Sequence, residues 1–305
     1  MKRSTGTVGR SALVFVACFL TLRGAPVTAQ SDSVAAVLTT PASVRFAGFN
    51  GAGAALVGHA ANVFTNPAGL ATIRHIAVEG AYQFGPDQSF LVSSAVAWRI
   101  RQFDLGVGIR YHDLGRVGDP LLGGAQTEGL GVGTAVYRFG MIALGASVKG
   151  LRQRSGDVTE SGVSGDLGAV IALFDIMAIG FAMQNIGGNW DSNSPVLMPR
   201  LTRFGFTMNY VDPQGAFRLL STLEWQWPDG LASRFVLGGE AGIVLGQFGV
   251  VGRVAYGTRP DITSTLPDVT YGATLELRWV DFDFAAESND RQDFTTRRVG
   301  LRFAF

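Results

Sequence analysis

From Ala71 to Phe305, large apolar residues alternate with small or charged ones. In Phe103-Asp104-Leu105-Gly106-Val107-Gly108-Ile109-Arg110-Tyr111 every odd position is large and apolar, and every even one is small or charged. Tyr271-Gly272-Ala273-Thr274-Leu275-Glu276-Leu277-Arg278-Trp279 repeats the pattern, as do Phe282-Asp283-Phe284 and Arg298-Val299-Gly300-Leu301-Arg302-Phe303-Ala304-Phe305. Successive side chains of a strand face opposite sides. Each segment therefore predicts a strand with one greasy face and one face of glycine and charge. Such strands are expected at 71–84, 88–99, 102–112, 128–138, 141–153, 162–174, 176–186, 201–211, 216–227, 232–244, 247–257, 269–279, 281–288 and 295–305.

A soluble β-sandwich shows the same alternation with its apolar face turned inward. Three features favour a membrane barrel instead. Strands end in aromatics (Tyr82, Trp98, Tyr111, Tyr137, Trp225, Trp227, Tyr256, Trp279), as interfacial girdles require. The polar face is rich in glycine, which suits a crowded lumen better than a face in water. Connections also alternate: tight at 100–101, 139–140, 175, 212–215, 245–246 and 280, longer and polar at 113–127, 154–161, 187–200, 258–268 and 289–294. That rhythm matches periplasmic turns opposite extracellular loops. The expected fold is an all-β transmembrane one, a closed antiparallel β-barrel of about 14 strands with both termini on the periplasmic side.

Residues 31–70 break the two-residue period. Ala52 to Asn62 is small and helix-compatible, and Asn66-Pro67 reads as a helix N-cap followed by proline at the first helical position. A short helical plug within the barrel is expected, with a division into 1–29, 30–70 and 71–305. The first part reads as a signal peptide: basic Lys2, Arg3 and Arg10, an apolar run from Ser11 to Leu22, and small residues Val27-Thr28-Ala29 before a cleavage near Ala29. These features place the chain in the outer membrane of a diderm bacterium. Outer-membrane lipid, lipopolysaccharide and the outer-membrane assembly machinery are then its expected partners.

Composition narrows the chemistry. Residues 1–29 carry Lys2, Arg3, Arg10 and Arg23 and no acid, so the balance of 25 Lys+Arg against 24 Asp+Glu becomes about −3 after cleavage. No basic excess remains for nucleic acid. Cys18 is the single cysteine and lies in the leader, which excludes disulfides, thiolate metal sites and thiol catalysis in the mature chain. His59, His75 and His112 fall in the plug, at the start of the first strand and at the end of the third. That spacing is expected to bring no two together, which argues against a Ser–His enzyme and against a histidine metal cluster. No cofactor is expected. Gly51-Ala52-Gly53 lacks the preceding strand and the following Lys-Ser/Thr of a phosphate loop and reads as small-residue packing.

Two sets of side chains stand out. Glu79, Asp104, Arg110, Glu224, Glu276, Arg278, Asp283, Arg298 and Arg302 fall on the polar face, with Asp281 beside them. They read either as ion pairs bracing lumen and plug or as a selectivity lining. Leu301, Phe303 and Phe305, on one face of the last strand, read as a C-terminal assembly signal.

An ordered set of motifs resembles the PorV/PorQ family, within the wider FadL-like group. It comprises Phe46 to Ala55 with Gly51, Ala52 and Gly53, then Ala60 to Ala71 with Asn62, Asn66, Pro67, Ala68 and Gly69. It continues with Gln184-Asn185-Ile186-Gly187, with Pro199, Arg203 and Gly205, with Gly239-Glu240, and with Gly252-Arg253-Val254-Ala255-Tyr256. The resemblance runs from about Val44 to Phe305 and implies a fourteen-stranded barrel with an N-terminal plug. It also implies a type IX secretion accessory that binds or shuttles cargo, with the type IX translocon and secreted proteins as partners. FadL-like relatives instead pass hydrophobic small molecules, and a purely structural barrel is the third option. Val57-Gly58-His59-Ala60 departs from the acidic pair that many relatives carry there, so no role of that pair transfers.

Overall fold

Every alternating segment becomes a strand. A computed structural model describes residues 34–115, 126–173, 176–188, 198–212, 215–230, 232–258, 267–288 and 295–305; the leader expected at 1–29 lies outside them. The strands are β1 (Ile76–Phe84), β2 (Phe90–Ile100), β3 (Phe103–Asp113), β4 (Gln126–Phe139), β5 (Ile142–Ser155), β6 (Val158–Leu173) and β7 (Met177–Ile186). They continue as β8 (Leu201–Asn209), β9 (Phe217–Pro228), β10 (Arg234–Leu245), β11 (Phe248–Gly257), β12 (Val269–Leu277), β13 (Val280–Ser288) and β14 (Thr296–Ala304). Each pairs antiparallel with its sequence neighbours, and β1 closes on β14 with Val78 opposite Phe303 and Glu79 opposite Arg302. Closure leaves no strand edge unpaired, so every strand's backbone can be satisfied inside a membrane.

The outer face carries the apolar half of the alternation. Ile109, Val148, Leu245, Phe248 and Val250 are each about two-thirds exposed, and Tyr, Trp and Phe bound this belt at both ends. Tyr82 stacks on Phe90 at 5.8 Å at the long-loop end, and Phe103 meets Tyr137 at 5.2 Å at the short-turn end. An apolar surface running round the whole barrel is stable only against lipid. The protein is a transmembrane β-barrel of the outer-membrane kind.

Two expectations are corrected. β1 begins at Ile76 rather than Ala71, because a 3-10 turn over Pro67–Thr72 precedes it. The long loop expected at 154–161 is a two-residue turn at Gly156 and Asp157, since β5 and β6 keep pairing as far as Ser155 opposite Val158. The C-terminal residue and the first described residues lie at opposite ends of the barrel. Phe305 meets His75 at the short-turn end, where the His75 amide donates to its carbonyl at 2.8 Å. Residues 36 and 37 instead lie against Glu128, near the long-loop start of β4.

From there residues 34–75 run through the barrel interior to β1. Helices α1 (Ala36–Thr39) and α2 (Val44–Gly48) and 3-10 turns at Ala60–Phe64 and Pro67–Thr72 alternate with irregular chain. Phe46, Phe49, Val37, Val63 and Leu70 are fully buried and form the core, against inward Leu130, Leu151, Val136 and Val170 of the wall. No helix forms over Ala52–His59 because the backbone there bonds elsewhere. Glu224 takes the amides of residues 53 and 54, and Gly58 turns at φ +86°.

Candidate functional site

The inner wall is built to receive this segment at atomic contact. A Cβ added to Gly180 would stand 1.9 Å from the Ala54 carbonyl oxygen, and one on Gly168 2.1 Å from Asn66 Oδ1. Additions at Gly106, Gly108, Gly145, Gly205, Gly238 and Gly300 would meet Val63, Phe64, Ala68, Ala55, Phe49 and Val44 at 3.0 Å or less. These inward glycines are seats, positions where backbone or a buried side chain approaches the sheet too closely for any side chain.

Between the seats, charged side chains of the wall hold the segment's backbone. Glu224 Oε2 accepts from the amides of Gly53 and Ala54, both at 2.7 Å. Its other oxygen is held by Arg203 and Gln226 at 2.8 Å, and Arg203 Nη2 also donates to the Gly51 carbonyl at 2.5 Å. Glu128 accepts from Ala36 and Val37 at 3.2 and 2.7 Å. Arg110 donates to the Val37 and Pro41 carbonyls. Glu79 accepts from the Ala61 amide at 3.1 Å. Arg234 donates to Asn50 Oδ1 at 2.5 Å and to the Pro267 carbonyl at 2.9 Å. A buried carboxylate is tolerated when its oxygens accept several hydrogen bonds and a cation stands beside it, as Glu224 does with Arg203.

A second group of charges forms a continuous network under α2. Arg45 reaches Glu240 at 2.8 Å, Arg253 bridges Glu240 at 3.1 Å and Asp283 at 3.4 Å, and Thr274 bonds both Arg253 and Asp283. Arg302 pairs with Asp281 at 2.5 Å and donates to His59 Nδ1 at 3.0 Å. That bond requires His59 Nδ1 to be unprotonated. Burial, reinforced by Arg302, Arg45 and Arg253, holds the His59 pKa well below its ordinary value. At the short-turn end Asp104 lies between Arg99 at 2.8 Å and Arg138 at 2.6 Å. Arg298 pairs with Glu287 and donates to Gln83 at 2.7 Å.

The residues of the N-terminal motif set lie in this interface. The Asn66 side chain caps the turn that begins at Pro67, accepting from the Ala68 amide at 3.1 Å, and donates to the Ala54 carbonyl at 2.6 Å. Asn62 accepts from the His59 amide and donates to the Leu56 carbonyl, packing over Gly69. Gly51 turns at φ +80°, and Ala52 is fully buried.

Gln184 and Asn185 both face inward, which a regular strand forbids. A bulge in the β6–β7 register, with Asn185 at φ +59°, permits it. Gln184 donates to the Phe64 carbonyl at 2.7 Å. Asn185 accepts from Lys149 at 3.3 Å and donates to the Pro199 carbonyl at 3.0 Å, while its amide donates to Asp166. Lys149 and Asp166 pair at 2.8 Å. Gly187 follows at φ +71°.

Of the charges expected on the inner face, Glu79, Asp104, Arg110, Glu224, Asp283, Arg298 and Arg302 are buried there. Glu276 stands half-buried at the short-turn rim, 4.0 Å from Arg218. Arg278 is not on the inner face: β12 ends at Leu277, and Arg278 is exposed in the turn at φ +44°, over the Trp279 ring at 4.6 Å. Reading charge by charge passed over Glu128, Lys149, Asp166 and Arg234, although each keeps the parity of inward neighbours such as Leu130, Leu151 and Val236. Leu301, Phe303 and Phe305 lie on the outer side of β14. The three histidines lie apart: His59 at Arg302, His75 exposed, and His112 3.7 Å from Glu128. Among the described residues no three His, Cys, Asp or Glu converge as metal ligands. A gap beside Glu79, lined by Ala42, Ala61, Phe64, Ser93 and Ala95, is too narrow to admit a water molecule.

Solved structures share this architecture. The monoaromatic hydrocarbon channel CymD superimposes with a TM-score of 0.62 at 14% identity, covering 87% of this chain and 98% of CymD. A Pseudomonas aeruginosa FadL homologue gives 0.59 at 13% identity over 87% and 99%. The Ralstonia pickettii toluene transporter TbuX gives 0.56 at 14% over 87% and 98%. At such identities the likeness defines the fold, that of a FadL-like barrel. No protein-family model and no curated protein matches the sequence.

Proposed function

We propose that the protein is an outer-membrane channel for small hydrophobic molecules, of the FadL-like kind. The supporting observation is full-length likeness of fold to a monoaromatic hydrocarbon channel and a toluene transporter, covering 98% of each. The filled lumen sets the mechanism. Residues 34–75 occupy the lumen with their apolar side chains buried against the wall, and departure of part of that segment from its glycine seats would open a path. Its attachments are hydrogen bonds and ion pairs, each reversible. The test is permeation of toluene into cells expressing the mature barrel, against cells lacking it. Faster entry supports the proposal, and entry equal to that of cells lacking the protein sinks it.

A second reading, a PorV/PorQ-type secretion accessory, is favoured by the family-motif residues, which build much of the buried segment and one of its seats, Gly205, and by a lumen that needs no motion to serve as a rigid platform. Gentle extraction from native membrane followed by mass spectrometry separates the two. A large translocon or secreted cargo in the complex supports the accessory. A lone barrel carrying lipid-like small molecules supports the channel.

A further inference from the structure

We infer that Asn50 and Arg234 form a latch at the long-loop end, tying the lumenal segment to the rim there so that the two release only together. The inference concerns how the segment is held and stands whatever the lumen conducts. Three stretches of chain meet in it: the turn that ends α2, the start of β10, and the two ends of the β11–β12 connection.

The turn is a local product. α2 stops in a Schellman arrangement, with the Gly51 amide donating to the Phe46 carbonyl at 2.8 Å and the Asn50 amide to the Ala47 carbonyl at 2.9 Å. Asn50 adopts φ +56° there and Gly51 φ +80°, in the left-handed region that these two residue types tolerate best. This geometry aims the buried Asn50 carboxamide at the rim. Its Oδ1 accepts from Arg234 Nη2 at 2.5 Å, and its Nδ2 donates to the Pro267 and Asp268 carbonyls at 3.2 and 3.0 Å.

Arg234 completes the ring of contacts. Its Nε donates to the Thr258 carbonyl at 3.2 Å, and Nη2 donates also to the Pro267 carbonyl at 2.9 Å. The guanidinium lies over Gly257, where an added Cβ would stand 2.4 Å from Nη2. Asn50, Arg234 and Pro267 are therefore each bonded to the other two. Arg234 is buried, and among the described residues its partners are all neutral oxygens. A buried guanidinium without a carboxylate depends on each such acceptor. Departure of the Asn50 turn strips Arg234 of acceptors and the Pro267 and Asp268 carbonyls of a donor. Departure of the rim strands Arg234 and the Asn50 carboxamide in the same way. Each side thus holds the other's partners, which makes the contacts break as a unit. The Glu224 anchor is built differently, since its cation, Arg203, belongs to the wall and stays paired without the segment.

The test is hydrogen exchange of the intact barrel in detergent micelles. It is read at the Asn50 and Gly51 amides of the segment and at the Gly257 and Thr258 amides of the rim, which donate to the Asp268 and Phe235 carbonyls at 2.8 Å. Asn50→Gly removes the carboxamide and keeps the left-handed turn. Exchange at Gly257 and Thr258 should rise roughly tenfold, the scale set by two lost hydrogen bonds. Arg234→Met alters only the wall, and exchange at Asn50 and Gly51 should rise by a similar factor. Glu128→Gln, which acts on residues 34–41, should leave the rim at the wild-type rate. Unchanged rim exchange in Asn50→Gly, unchanged segment exchange in Arg234→Met, or a rim loosened equally by Glu128→Gln overturns the inference. Toluene entry in Asn50→Gly cells separates this latch from the channel reading: faster exchange at both sites with unchanged entry supports the latch and counts against the channel.

Discussion

Glu224 and Glu128 each accept two successive backbone N–H groups of the lumenal segment, yet their surroundings differ. Glu224 holds residues 53 and 54 at 2.7 Å, backed by Arg203 and Gln226 and next to the seats at Gly180 and Gly205. Glu128 holds residues 36 and 37 at 3.2 and 2.7 Å, backed by Gln153 at 3.0 Å and by His112 at 3.7 Å. The element it anchors, α1, has four residues and no side-chain cap, too short to be stable alone. The contrast gives the segment a middle held by a carboxylate with its own paired cation and a start held by Glu128 and by Arg110 through the Val37 and Pro41 carbonyls.

The largest effect should come from Glu224→Ala, which strands a buried Arg203 and two amides. Breaking a buried pair in this way costs about 3–5 kcal/mol. Arg45 is the only Lys or Arg between residues 34 and 73, so tryptic cleavage after Arg45 in a still-folded barrel reports release. Cleavage should accelerate strongly; an unchanged rate would mean the middle is not held here. Next, Gly180→Val puts a side chain into the Ala54 carbonyl, with an overpacking cost of about 1–3 kcal/mol. Hydrogen exchange should rise around residues 52–56 and spare residues 36–41.

The third prediction is pH-dependent. Seated His59 faces Arg302, Arg45 and Arg253 and titrates well below 6.5, whereas a released segment takes up its proton near 6.5. The nearby carboxylates Asp281, Asp283 and Glu240 are already paired with those arginines. Seating is therefore strongest above pH 6.5 and weakens as pH falls, by at most about 1.4 kcal/mol for the first unit below it. Exchange at residues 58–62, corrected for intrinsic rate, should rise from pH 7.5 to 5.5, and His59→Gln should flatten that rise. The smallest effect belongs to Glu128→Gln, about 1 kcal/mol for a weakened hydrogen-bond pair. It should loosen residues 34–41 while leaving Arg45 cleavage at the wild-type rate. Cleavage matching that of Glu224→Ala would erase the difference between the two anchors.

The sequence pattern exposed some of these parts and hid others for reasons that differ residue by residue. Asn66-Pro67 was legible because a cap is a local interaction between neighbours. The inward glycines were legible as crowding, since their parity placed them on the polar face. Gln184-Asn185 was legible only as a motif: a bulge violates the two-residue period, and nothing in the alternation announces it. Arg278 was misplaced because Leu275-Glu276-Leu277-Arg278-Trp279 keeps alternating through the point where the chain turns. The turn at Gly156 and Asp157 was missed because the polar residues of β5 and β6 beyond the lipid belt look like loop while still pairing.

The linear chain by itself determined the strands, their faces, the barrel class and the presence of a distinct N-terminal segment. Those follow from periods of two residues and from local turn chemistry, which neighbouring residues carry between them. Tertiary structure alone decided that the segment's described start lies at the long-loop end, which glycine receives which residue, and which charge holds which amide. Glu224 and Gly53 are 171 residues apart in the chain, and Arg302 and His59 are 243 apart. Such partners meet only because closing the sheet brings remote strands around one lumen, a constraint that no local pattern encodes.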